Sequence, residues 1–350
     1  LSKAAESEGE KFVDQPLVEA EIRSVIGSTY VALGKYDEAE PHLVEALETR
    51  RWVLGDAHPD TLDSIGNMGG LLHSQSKFDE AMPYLMEELE TSHLALHDED
   101  PSMLNLMGRI GGLLYNQGKY DEAMPYFVDS LEKMRRVLGD EDRNTLWLID
   151  GMGSLLKKQS KYDEAMTYYA EALKTKRRVL GDEDIETLMS INNIGLLLQD
   201  QGRYNEAMPY YVEALEARRL ILGDEHSQTL WSICSMCKLY LDLGEYDKAT
   251  PYCVEALEKT QRFLGEHHYT LISMGNMGNL LHAQGKYDEA MPYYAIILEI
   301  MRRTLWSSNN MGGVLDDQGK YDEALPYLVV ALKTMRRVLG DEHRDTLWLI

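Results

Sequence analysis

Gly34-Lys35-Tyr36-Asp37-Glu38-Ala39 returns along the chain with small changes, beginning again at Ser76, Gly118, Ser160, Gly202, Gly244, Gly285 and Gly319. The interval is 42 residues five times, then 41, then 34. A regular period of this size marks a solenoid, in which each unit buries its apolar face only against its neighbours. The repeat overrides the two or three separate domains that 350 residues suggest at roughly 150 per domain.

Each period holds two helical patterns. In the stretch from Asp60 to Gln75, Leu62, Ile65, Met68, Gly69 and Leu72 share one face of a 3.6-residue period, which predicts a first helix. A second follows from Phe78-Asp79-Glu80-Ala81 to about Leu96, with acids near its positive end. In most copies an arginine pair such as Arg50-Arg51, Arg135-Arg136 or Arg177-Arg178 lies near its negative end. Leu-Gly-Asp-Glu then closes most units, its glycine suited to the left-handed residue after a helix, and a following Asp or Thr is read as the next cap. Seven second helices carry proline about four residues beyond the Asp of the hexapeptide, from Pro41 and Pro83 to Pro326. If that Asp caps the helix, the proline falls just past the free first-turn donors and should bend or fray the first turn without breaking the helix. Small Gly69 and Ala81 mark where the two helices of a unit approach closely.

The glycine of the first helix, the Gly-Lys-Tyr turn and the early alanine of the second helix resemble a tetratricopeptide repeat over residues 17–344. The 42-residue length, the proline after Asp-Glu-Ala, the arginine pair and the Leu54–Leu62 linker more closely resemble the repeats of kinesin light chains. The resemblance implies an all-α, right-handed superhelical solenoid of stacked helix pairs, binding an extended peptide or partner protein on a concave surface lined by first helices. Residues 1–16 are then a linker or the end of a preceding helix, 17–344 eight helix pairs, and 345–350 the start of a truncated ninth repeat that offers a face for self-association. The entry segment Asp14–Ala20 also resembles the start of arrays that follow bacterial serine/threonine kinases.

A second stripe on the first helices, opposite the apolar face, is expected to face the groove. Its central column reads Val25, Asn67, Arg109, Gly151, Asn193, Ser235, Asn276 and Asn310, with Asn192, Asn279 and Asn309 nearby. Amides both donate and accept, so an asparagine ladder can hold a peptide backbone whatever its side chains. One turn earlier stand Trp147, Trp231 and Trp306, read either as interface anchors or as seals between repeats, with Met189 and Ile272 in the same column. Gly66, Gly70, Gly108, Gly112 and Gly313 are expected to let a ligand backbone come close. Arg109, Lys157, Lys158 and Lys238 form the basic group on a stripe that also carries Asp63, Asp150 and Asp242.

Composition bounds the partner. With 35 Lys and Arg against 59 Asp and Glu, the net charge of -24 repels nucleic acid and acidic membrane surfaces. No run approaches the roughly 18–20 apolar residues that span a bilayer, and no secretory signal opens the chain. Three cysteines cannot build a disulfide framework, which favours a reducing, cytoplasmic setting.

Motifs that suggest chemistry are read as packing. Cys234-Ser-Met-Cys237 lies inside a first helix, away from a strand-turn-helix context, and Cys237 and Cys253 occupy core columns. His343-Arg344-Asp345 falls in the loop column of His58-Pro59-Asp60, where His alternates with Asp142 and Asp184, which argues against a metal site. Neither a phosphate loop nor a nucleophile elbow occurs, so no catalysis and no cofactor are expected. The reading is an adaptor that binds a protein or peptide without chemistry; the alternative is the regulatory array of a larger signalling protein such as a bacterial serine/threonine kinase.

Overall fold

The computed structural model describes residues 15–95, 97, 99–264, 268–297 and 300, with the side chains of 94, 95 and 268 left aside. Residues 301–319 of the shortened 285–319 interval, with Trp306, Asn309, Asn310 and Gly313, and residues 345–350 lie outside the described residues.

The described residues are helical with short turns: α1 (Pro16–Ala32), α2 (Tyr36–Leu54), α3 (Pro59–Ser74), α4 (Phe78–Ala95), α5 (Pro101–Asn116), α6 (Tyr120–Val137), α7 (Arg143–Lys158), α8 (Tyr162–Val179), α9 (Ile185–Asp200), α10 (Tyr204–Leu222), α11 (Ser227–Asp242), α12 (Tyr246–Leu264) and α13 (His268–Ala283). None of them is long and apolar enough to cross a membrane. The chain forms two compact units, Leu1–Leu197 and Leu198–Ile350. In the first unit α1 packs on α2, α3 on α4, α5 on α6 and α7 on α8, and each pair packs on the next. In the second unit α12 packs against both α11 and α13.

The hexapeptide turn works differently from the sequence expectation. Its first residue takes a left-handed conformation, φ 71° at Gly34 and 77° at Gly118, and 61° where Ser76 and Ser160 replace glycine. That requirement explains the column. The second helices start at the tyrosine, and Lys35, Lys119 and Lys161 occupy the N-cap without a side-chain cap bond. The hexapeptide Asp is therefore not the cap. Asp79 accepts from Gln117 Nε2 at 2.8 Å and Asp121 from Gln159 Nε2 at 3.1 Å, clasping each pair to the following one. Pro41, Pro83 and Pro125 sit inside unbroken helices.

The first helices are capped from the loop column that alternates between His and Asp. His58 Nδ1 accepts from Asp60 N at 3.2 Å, Asp100 Oδ1 from Ser102 N at 2.9 Å and Asp142 Oδ1 from Asn144 N at 2.9 Å. A neutral imidazole nitrogen and a carboxylate oxygen satisfy the same orphan donor, so either residue serves. The cap thus lies two residues before the Asp60 or Thr61 expected from sequence.

Within each pair a glycine on the first helix receives a large side chain from the second. A Cβ on Gly69 would meet Leu85 at 2.8 Å, on Gly111 Phe127 at 3.0 Å and on Gly153 Tyr169 at 2.7 Å. In the α11–α12 pair the same column holds Cys237 and Cys253, both fully buried and joined by a disulfide. They are core residues as expected, but bonded ones, so a low cysteine count no longer argues for a reducing compartment. Cys234 stays free and buried, its thiol pushed up to about 12 by desolvation.

Candidate groove of the first unit

Two adjoining cavities open along the first helices of the first unit, sharing Gly70 and Arg109. The first, about 570 Å³, is polar and runs past Ser24, Ser28, Asp63, Asn67, Ser74 and Glu88. The second, about 510 Å³, is walled by Tyr115, Phe127, Trp147 and Met189, with Asn116, Ser154 and Asn193 on its lining.

The apolar wall follows from the repeat. Trp147 is 45% exposed and Met189 48%, in a column where α3 carries Asp63 and α5 Asn105. The indole lies 6.3 Å from the Phe127 ring at 39°. A Cβ on Gly108 would meet it at 3.0 Å, and one on Gly112 at 3.8 Å. Trp147 therefore seals the seam between α5 and α7 and also presents ring surface to the cavity. The reading of Trp147 as a seal between repeats agrees with these contacts.

The cavities' charged side chains are mostly neutralised by one another. Arg109 reaches back to the Gly66 carbonyl at 2.8 Å and to Glu88 at 3.3 Å. Burial raises the Glu88 carboxyl above its ordinary range, opposed by Arg109 and reinforced by the nearby Asp63. Arg50, nearly buried, pairs with Glu21 and donates to Ser64 Oγ at 2.8 Å. Lys176 Nζ meets Asp150 Oδ2 at 2.5 Å, and Ser190 Oγ donates to the same carboxylate at 2.8 Å. Burial still pushes the Asp150 carboxyl upward against these two contacts. Glu186 lies 3.6 Å from Arg143. His73, with its pKa lowered first by burial and then by Arg109, shares a hydrogen bond of 2.8 Å with Asn116. Asp63 is exposed and forms no ion pair among the described residues.

The asparagine column does less for a ligand than expected. Asn67 Nδ2 donates to Ser24 Oγ at 3.3 Å and Asn276 Nδ2 to the Cys234 carbonyl at 3.2 Å, so both reach the preceding first helix. Asn192 is fully buried and cannot offer its amide at a surface, which corrects its place in the predicted groove. Asn193, half-buried, lines the second cavity and has no hydrogen-bond partner among the described residues. Lys157 and Lys158 end α7 outside both cavity linings. Gly70 is open, whereas the space beside Gly66 is taken by Glu88 and Arg109 and that beside Gly108 by Leu148 and Trp147.

In the second unit the predicted residues are engaged by their own chain. Trp231 lies under the Arg218 guanidinium, 5.6 Å from the ring centre. Lys238 pairs with Asp242, and Asn279 Oδ1 accepts from Tyr294 OH at 2.9 Å.

Sequence reasoning missed the contributions of the second helices: Arg50, Glu88, Phe127 and Lys176. A signal for Glu88 was present, since the equivalent positions are Ala46, Ser130, Ala172, Ala214 and Ala256. Its partner Arg109 is likewise the one charged residue in its column, and the two depart together.

Sequence profiles described as Tetratricopeptide repeat match residues 18–92, 102–178 and 233–303, and a second such profile matches 187–228 and 304–345. No curated protein matches the chain significantly. Among solved structures, BtubC (BKLC) from P. vanneervenii is similar at 18% identity and TM-score 0.51, covering 71% of this chain and 93% of its own. The TPR-like repeats of a kinesin light chain from Podosopora anserina align at 18% identity and TM-score 0.50, covering 59% of this chain and 97% of theirs. Aspartyl phosphate phosphatase F from Bacillus subtilis aligns at 12% identity and TM-score 0.58, covering 97% of this chain and 88% of its own. At these identities the likeness is one of fold. With family profiles matching well over half of its residues, the chain belongs to the tetratricopeptide repeat family.

Proposed function

We propose that this protein-interaction scaffold holds an extended segment of a partner protein in the groove of its first unit, as an adaptor without chemistry of its own. The observation that carries the reading is the second cavity. Trp147 and Met189 present large apolar surface to it, Asn193 offers an uncommitted amide, and Gly70 leaves its edge open. Aromatic anchors in a concave, partly desolvated surface are where binding energy concentrates. A partner backbone laid beside Asn193 gains both a donor and an acceptor. The polar side chains that could otherwise act chemically are tied to one another: Ser154 shares a hydrogen bond with Tyr169 OH at 2.9 Å, and Ser190 is bonded to Asp150.

A peptide-display selection against the 350-residue chain and against a Trp147→Ser, Asn193→Ala variant tests this, with circular dichroism confirming that both are helical. Peptides enriched by the parent and lost by the variant are the expected result. Identical selections from both proteins would place binding on another face.

A further inference from the structure

We infer that the segment held in the first unit is bipartite: an apolar side chain seats against Trp147 and Met189, and a lysine or arginine farther along the same segment pairs with Asp63. The inference rests on the groove reading above and adds the chemistry of the ligand.

The argument is one of charge complementarity within the two joined cavities. Their cations are Arg50, Arg109 and Lys176, and each already faces a carboxylate of the chain: Glu21, Glu88 and Asp150 respectively. Glu186 faces Arg143. An acidic ligand at Arg109 or Lys176 would have to displace the largely buried Glu88 or Asp150 and leave it without its cation, an expensive exchange, and one at Arg50 would have to reach a guanidinium that is itself buried. Among the charged side chains lining the cavities, Asp63 is the one without an opposite charge, and it is exposed on the first helix at the polar end. Glu88 beside it is raised mainly by burial; Arg109 opposes the shift and Asp63 adds a smaller upward push, so the Arg109 charge is already directed at Glu88. A ligand cation pairs with the Asp63 carboxylate; a ligand anion is repelled by it. The net charge of -24 steers basic segments to the surface in the same sense.

Geometry sets the spacing. Asp63 lies on α3 and Trp147 on α7, two first helices farther along. Packed helices stand about 8–10 Å apart and an extended chain advances about 3.3 Å per residue, which separates the two ligand side chains by roughly five or six residues.

The test is a random twelve-residue display selection against the full chain, run in parallel on Asp63→Lys and on Trp147→Ser. The parent is expected to select an apolar residue with a lysine or arginine five or six positions away. Asp63→Lys should keep the apolar residue and exchange the basic one for aspartate or glutamate. For a selected peptide, Asp63→Asn should weaken binding about two- to fivefold and flatten its dependence on salt. If Asp63→Lys selects the parent's peptides while Trp147→Ser loses them, the groove stands and the bipartite inference falls. If the parent selects nothing, or neither substitution changes the selection, the groove reading falls and takes the inference with it.

Discussion

Two seams of the first unit occupy the same repeat positions and are built in opposite ways. Beneath the α7–α9 seam, Lys176 of α8 is buried between Asp150 and Ser190, with Nζ 2.5 Å from the carboxylate and 3.2 Å from the hydroxyl. One period earlier the corresponding residues are Met134, Gly108 and Leu148, all buried. There a Cβ on the glycine would meet Leu148 Cδ2 at 2.7 Å, so any larger residue must push that leucine aside. The three positions change together: glycine accompanies leucine, and a polar residue accompanies serine. A repeat period fixes where a seam lies but leaves open whether it is filled by volume or by charge. The choice bears on the groove, because Lys176 and Asp150 line the second cavity and Arg50 the first, whereas Met134 and Leu148 line neither.

Breaking the polar seam should have the largest effect. Lys176→Met strips the cation from a carboxylate that is already reluctant to ionise, and is expected to cost about 3 kcal/mol in urea unfolding. Converting the whole set, with Asp150→Gly and Ser190→Leu added, recreates the Met134 seam and should recover most of that loss. A triple variant no more stable than the single one would show that the positions are not interchangeable. Alanine at two glycines sharpens the contrast at smaller magnitude. Gly108→Ala is expected to destabilise by about 1–3 kcal/mol through overpacking against Leu148 and Trp147. Gly70→Ala, with open space around it, should stabilise by about 0.5–1 kcal/mol through helix propensity.

The smallest effect is a pH signature of the Arg109–Glu88 pair. Because the folded Glu88 carboxyl is raised, mainly by burial, the folded state binds its proton more tightly than the unfolded chain does. Its contribution to stability is full below the unfolded value of 4.5 and is lost as pH rises through the folded value. Thermal melts across that range should show Glu88→Gln losing this downward slope with rising pH. A parent and variant with parallel pH profiles would mean that Arg109 already compensates the burial in full.

Much of this was legible before any coordinates. The return of Gly34–Ala39 gave the helix pairs, Leu-Gly-Asp-Glu gave the positive-φ glycine after the second helix, and Gly69 with Ala81 gave the close approach within a pair, all of which depend on local conformation and a 3.6-residue period. The groove was legible only in part, since Trp147 and Asn193 line the second cavity while Asn67 and Asn276 are bonded to the preceding first helix and Asn192 is buried. A column in an alignment of repeats records which face a residue occupies, and not whether its hydrogen-bonding capacity is already used by the repeat before it. The hexapeptide Asp shows the same limit: the motif placed it near a helix start, but its partner is a glutamine 38 residues on.

The sequence by itself determined the helices, their pairing and the positions of the seams, because these follow from periodic burial and from backbone sterics within one repeat. Which polar side chains remain free for a partner was decided by the tertiary structure. That depends on distances between residues some 20 to 40 positions apart, where Glu88 finds Arg109 and Asp63 finds no cation among the described residues.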